Sequence, residues 1–238
     1  LSDIRSVDDY TFEHSVSVCI FSLIIGAGLG YRTPALRDLG VGSLLHDIGK
    51  LKIPEEILKK PSQLTGEEFK EIKKHTVYGY EILRSFEDIS IVSASIALGH
   101  HERYDGSGYP LQLKGDKIHR YARIVAVADV YDALTSDRVY RKKLHPHEVV
   151  EYITSLATYH FDKKIVNAFV KCVAMYPEGT GIVLNTKERG IVVRVNKSIP
   201  TRPIVRVIYG ANGEKLVNYY ELDLMEKLNI FIIGFCEL

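Results

Sequence analysis

Two short stretches of this 238-residue chain hold residue types that could bind and use metal ions. HDIGK, from His46 to Lys50, sets an imidazole beside a carboxylate. Both can reach one cation, and the two oxygens of a carboxylate can also bridge a pair of cations. Alone, the dipeptide reads more simply as a helix-end histidine next to a solvated aspartate. HHERYDGSGYP, from His100 to Pro110, places two imidazoles side by side at the mouth of a glycine-rich loop. Neighbouring residues on a helix diverge by about 100°, so adjacent imidazoles can fill two neighbouring positions around a metal lying between them. The alternative is a helix-terminal pair satisfied by water and backbone. Gly106 and Gly108 let the chain turn away sharply beside the pair.

Two further stretches add to the inventory. His14 lies in a helical segment with apolar neighbours Phe12, Val16 and Val18, and Asp129 interrupts the apolar run RIVAVADVYDAL. A carboxylate buried there without a partner would lose its hydration uncompensated, so it calls for a cation. Asp132 follows three residues later on the same helical side. It either faces the same cleft, together with Arg138 and Arg141, or closes a surface salt bridge.

The elements that must hold these residues are mostly helical. Apolar positions Ile124, Val127, Val130, Tyr131 and Leu134 recur at three- and four-residue steps, as do Val149, Ile153 and Leu156, then Ile165, Phe169 and Val173. Each set predicts a helix with one inward face. The run from Val18 to Tyr31 predicts a buried helix ending near Gly26 to Gly30. It is shorter than the roughly 20 residues a membrane span needs. Pro146 suits a first helical turn. After Pro177 the texture changes to short β-branched runs, GIVLN, GIVVRV and PIVRVIYG, and Asn212-Gly213 signals a two-residue hairpin turn. The expected fold is mainly α: a helical domain over 1–176 followed by a small β-rich C-terminal module over 177–238.

Charge and cysteine usage limit the partners. Lys and Arg total 31 against 30 for Asp and Glu, a formal net charge of +1. No bulk field draws such a chain to a DNA or RNA polymer or to an anionic membrane, and an anionic substrate must be gripped locally. Cys19, Cys172 and Cys236 are odd in number and widely spaced among apolar residues, which predicts reduced, buried thiols in a cytoplasmic protein. The chain opens at Leu1 without a methionine and reads as the C-terminal part of something longer.

His14, His46-Asp47 and Asp129 follow the H…HD…D order of the HD superfamily of metal-dependent phosphohydrolases. With HDIGK, His75, HHERYDGSGYP and ADVYDALTSDRVYR, the chain resembles the HD-GYP branch over roughly Asp9 to Tyr176. The resemblance implies an HD-type helical bundle and a phosphodiesterase that opens cyclic di-GMP to pGpG, GMP or both. The alternatives are an HD-type hydrolase of another cyclic dinucleotide or nucleotide, and a non-catalytic cyclic di-GMP sensor. It also implies that His14, His46, Asp47 and Asp129 bind one metal, and that Asp47 bridges to a second held by His75, His100 and His101. Two divalent ions follow, iron or manganese first, with zinc and nickel as alternatives.

In that reading a hydroxide bridging the metals attacks phosphorus, with Asp47 and Lys50 as the catalytic side chains. Lys50 and the arginines Arg138 and Arg141 would contact phosphate, and Asp132 would orient a group in the cleft or accept from a guanine edge. Tyr109 would stack on a base, or else pack to fix its loop. A GGDEF-domain diguanylate cyclase approaching the GYP loop and a second copy of the chain are the implied protein partners. Some members carry a glutamate four residues before the first histidine, which helps to hold a third metal; here that position is Tyr10, which favours a two-metal site.

Overall fold

The computed structural model describes residues 9–136, 143–173, 176–196 and 199–238. The chain forms two compact units, one of Leu1–His145 with Glu151–Phe169, the other of Pro146–Val150 with Val170–Leu238. The first is helical and the second carries an antiparallel sheet.

In the helical unit α1 (Asp9–Gly28) and α2 (Thr33–Leu44) lead into a 3₁₀ turn (Ile48–Lys52), then α3 (Glu55–Leu58), α4 (Gly66–Lys73), α5 (His75–Arg84), α6 (Ile91–Gly99) and α7 (Arg120–Thr135). Helix α1 packs on α2 and α7, α2 on α6, and α6 on α7, so four helices close a ring; α5 lies against α6 and the 3₁₀ turn. The core of this ring includes Val18, Ile25, Leu39, Ile96, Ile124 and Val127, all fully buried. Helix α4 starts on a capping box in which Thr65 and Glu68 satisfy each other's backbone N–H. No helix among the described residues is long and apolar enough to cross a membrane.

Helix α7 departs from the pattern expected of it. The spacing of its apolar residues predicts one inward face, yet Ala122 and the whole run Ile124 to Ala128 are buried. The reason is position: α7 packs on α1 and α6 together, and a helix enclosed on several sides carries apolar residues around most of its circumference.

Helices α8 (Pro146–Ser155) and α9 (Lys163–Cys172) follow, with Pro146 at the first helical position as expected. The sheet has strands β1 (Gly181–Leu184), β2 (Arg189–Arg194), β3 (Ile204–Tyr209), β4 (Lys215–Asp223) and β5 (Ile232–Phe235), in the order β4-β3-β2-β1-β5. Ile182, Leu184, Val192, Val205 and Val207 alternate inward along the strands and meet Leu224 in one cluster. Strand β5 has no counterpart in the sequence reading. The β3–β4 turn is longer than two residues: Gly210 donates to the Glu214 carbonyl and Gly213 takes a positive φ between them. The cysteines are free, as expected, but Cys172 is exposed and the other two are partly exposed, contrary to the buried thiols expected.

Candidate metal centre

Three of the histidines are aimed by one local device. His46 stands just past the end of α2, His75 just past the end of α4, and His100 caps α6. The last carbonyls of a helix lack intrahelical partners. In each case the histidine Nδ1 donates to such a carbonyl three residues back: His46 to Ser43 at 2.7 Å, His75 to Ile72 at 2.7 Å and His100 to Ala97 at 2.9 Å. Fixing the proton on Nδ1 leaves the Nε2 lone pair free to coordinate. Three helix C-termini, whose dipoles favour cations, thereby converge on one region.

His14 is oriented differently. Its Nδ1 lies 2.7 Å from Asp132 Oδ2, and its Nε2 lies 3.1 Å from Asp129 Oδ1. The carboxylate of Asp132 therefore stands behind the imidazole, as in a carboxylate–histidine–metal arrangement. Asp132 is buried, and its second oxygen accepts from Ser136 Oγ at 3.3 Å. The sequence reading expects Asp132 to orient a group in the cleft or accept from a guanine edge; in the structure its carboxylate is buried against His14 and Ser136.

The donor atoms fall into two groups. Asp47, His75, His100 and His101 each offer an atom within 4.8 Å of the others, and so do His14, His46 and Asp129. Asp47 stands between the groups. Its Oδ2 lies 3.4 Å from His46 Nε2, while Oδ1 lies 3.3 Å from His75 Nε2 and 3.7 Å from His100 Nε2. The vicinal rings of His100 and His101 are 4.1 Å apart at an angle of 43°. They belong to a helix end and the loop after it, and not to the helix interior from which a 100° divergence was reasoned.

The residues present fit metal ions. His46 Nε2 and Asp47 Oδ1 are buried and have no hydrogen-bond partner, a costly condition that cations between the two groups would relieve. The donor set of imidazoles and carboxylates suits divalent transition metals.

The electrostatics agree. Burial alone would raise the Asp47 carboxyl, but the Lys50 ammonium at 2.5 Å and His46 hold it well below the usual carboxylate range. Burial likewise opposes the ionised form of Asp129, and the hydrogen bond and charge of His14 reverse that and lower it. Burial lowers both His100 and His101, keeping them neutral and able to coordinate. For His14, burial lowers the value but the hydrogen bonds to Asp129 and Asp132 win, and it is pushed up to about 9. In the metal-free protein His14 therefore carries a proton at neutral pH, and an incoming cation must displace it. Manganese affinity should rise with pH toward about 9, and adding Mn(II) at pH 7.5 to weakly buffered protein should release protons, measured with an indicator dye.

The loop after the paired histidines is fastened at several points. Glu102, buried, accepts from Leu111 N–H at 2.7 Å and Leu113 N–H at 3.0 Å. Asp105 accepts from Ser107 N–H at 2.8 Å, and the N–H groups of Tyr104 and Asp105 donate to the carbonyls of His160 and Tyr159. Gly108 owes its identity to close approach: a Cβ there would lie 2.3 Å from Arg103 N and 2.6 Å from the His101 carbonyl. Tyr109 N–H bonds the same carbonyl, and its ring stands 4.8 Å from that of His101.

A cavity of about 250 Å³ opens beside His100, His101 and Asp129, which line it. Phe69, Tyr109 and Tyr152 are among its aromatic walls. Arg103 and His160 line it too. Lys50 sits on Asp47 Oδ2. Arg138 and Arg141 lie outside the described residues. Sequence reasoning missed Glu102 as the loop's anchor, although it stands inside the HHE string. It also missed Asp132 as the residue that orients His14. Asp132→Asn should weaken metal binding about 10- to 100-fold, measured by equilibrium dialysis against Mn(II).

The helical unit thus carries two groups of histidines and carboxylates that could hold metal ions, with Asp47 between them. Residues 5–165 match the HD domain family, and the chain belongs to that family, whose phosphohydrolases are metal-dependent. Residues 182–238 match the KOW domain associated with HD domain. Among characterised relatives, a cyclic di-GMP phosphodiesterase of Pseudomonas aeruginosa is 36% identical over 221 residues, covering 93% of this chain and 53% of the relative. A cyclic di-GMP phosphodiesterase of Thermotoga maritima is 41% identical over 172 residues, covering 72% of this chain and 46% of the relative. The chain thus spans about half the length of these relatives. Its fold is similar to the HD domain of the L. monocytogenes phosphodiesterase PgpH in complex with cyclic-di-AMP, with a TM-score of 0.53 at 19% identity, covering 71% of this chain and 90% of that one.

Proposed function

We propose that the chain hydrolyses cyclic di-GMP to pGpG, GMP or both, using two divalent cations, iron or manganese, held by the seven residues His14, His46, Asp47, His75, His100, His101 and Asp129. The observation that carries this reading is the position of Asp47, with one oxygen turned to each donor group. Two cations so placed would activate a water for attack on phosphorus and neutralise charge on the phosphoryl oxygens.

The chain's own residues supply the rest. His46, His75 and His100 present lone pairs already oriented by helix-end carbonyls, so little is reorganised when the site fills. Lys50, partly exposed at 35%, adds a positive charge beside Asp47 where phosphoryl charge develops. Tyr109 offers a ring beside the metal ligands, and the cavity beyond it is lined by aromatic residues suited to nucleobases. We assign this chemistry to residues 1–176 and an accessory role to the β module over 177–238.

The test is anaerobic purification, loading with Fe(II) or Mn(II), and chromatography of products from cyclic di-GMP. Release of pGpG or GMP is the expected result. Protein that binds two metals per chain and leaves cyclic di-GMP intact overturns the reading, and a substrate panel would then identify another cyclic dinucleotide if one is used.

A further inference from the structure

Helix α4 looks like an ordinary solvated helix, yet one of its lysines behaves unlike its neighbours. Lys70 pairs with Glu67 and Lys74 with Glu71, both on the exposed surface. Lys73 turns to two aromatic rings: its Nζ lies 4.6 Å from the centroid of Phe69 and 5.0 Å from that of Tyr109. Among the described residues no carboxylate stands within ion-pair distance of it. Both rings line the cavity whose other walls include His100, His101 and Asp129. Tyr109 itself stacks near His101, so the ammonium is separated from a metal-ligand candidate by a single ring. Cation–π contacts place an ammonium without using up its three N–H donors, which stay available for an anion.

We propose that Lys73, held between Phe69 and Tyr109, contacts the second phosphate of a cyclic dinucleotide while the first is cleaved at the metal centre. The inference rests on the proposed hydrolysis of cyclic di-GMP. Such a substrate carries two phosphodiesters on opposite sides of one macrocycle. When one lies among the histidines, the other is carried toward the cavity rim with a full negative charge. A partly buried anion needs a cation, and the flexible four-carbon stem of Lys73 brings one to the rim. Phe69 and Tyr109 thereby have two roles, as the seat of the ammonium and as flat surfaces beside a base.

The test compares cyclic di-GMP with bis(p-nitrophenyl) phosphate, a diester with one phosphate only, in wild type and in Lys73→Met, whose unbranched chain still covers the rings. The ratio of kcat/KM for the two substrates should fall about tenfold in favour of the small ester, mostly through KM for cyclic di-GMP. Lys70→Met, which removes an exposed ion pair, should leave that ratio unchanged. A second readout needs no turnover: a bisphosphorothioate analogue of cyclic di-GMP should shield Lys73, but not Lys70, from acetylation as read by mass spectrometry. A purely structural Lys73 would lower both activities together and stay open to acetylation, which overturns the inference. Wild type that cleaves cyclic di-GMP while Lys73→Met keeps its ratio overturns the subsite alone. Wild type that leaves cyclic di-GMP intact overturns the functional reading and the subsite with it.

Discussion

Asp47→Asn should lower kcat by at least about a thousandfold and reduce the metal content of the purified protein, because one side chain serves both donor groups. The amide keeps the shape of the carboxylate but loses its charge and turns one acceptor into a donor. That donor would face His46 Nε2 or the His75 and His100 nitrogens, where a cation would otherwise sit. Lys50 would also lose the carboxylate that it now meets at 2.5 Å. Elemental analysis and turnover with Mn(II) provide the two readouts. A variant that keeps two metals and activity within about tenfold of wild type would show that Asp47 does not link the groups.

Gly49→Ala should be among the most damaging changes of a non-ligand. A Cβ at this position would lie 1.9 Å from the His75 carbonyl and 2.4 Å from Gly79 N. These are backbone atoms of α5, so no side-chain rotation relieves the overlap. The 3₁₀ turn carrying Gly49 would be pushed off α5, separating His46 and Asp47 from His75. Overpacking of this kind costs about 2–3 kcal/mol. Thermal unfolding should show a lower Tm, and metal titration should show loss first at the group of Asp47, His75, His100 and His101, since His75 belongs to it.

Much of the site was legible because its signals are local. HDIGK and HHERYDGSGYP are contiguous strings, and the helix ends and turn that present them follow from a few neighbouring residues. The general architecture, helices then a small sheet, was legible from the change in hydrophobic period after Pro177. What escaped depends on distant packing. Asp132 reaches His14 across 118 positions, and only the contact of α1 with α7 reveals it. Lys73 reads as one more charge on a solvated helix until Tyr109 arrives from a loop 36 positions away. The one-faced periodicity expected of α7 failed for the same reason, since enclosure by neighbours is not written in its own spacing. Strand β5 pairs with β1 across some 50 residues, a partnership no local pattern announces.

The shared device at the ends of α2, α4 and α6 separates two properties of the centre. The direction of each imidazole is set within its own short segment, while the distance between imidazoles is set by how the helices are placed. Were ions of different radius to enter, slight translation of whole helices would adjust the spacing while the helix-end bonds to Nδ1 kept each ring pointed as it is.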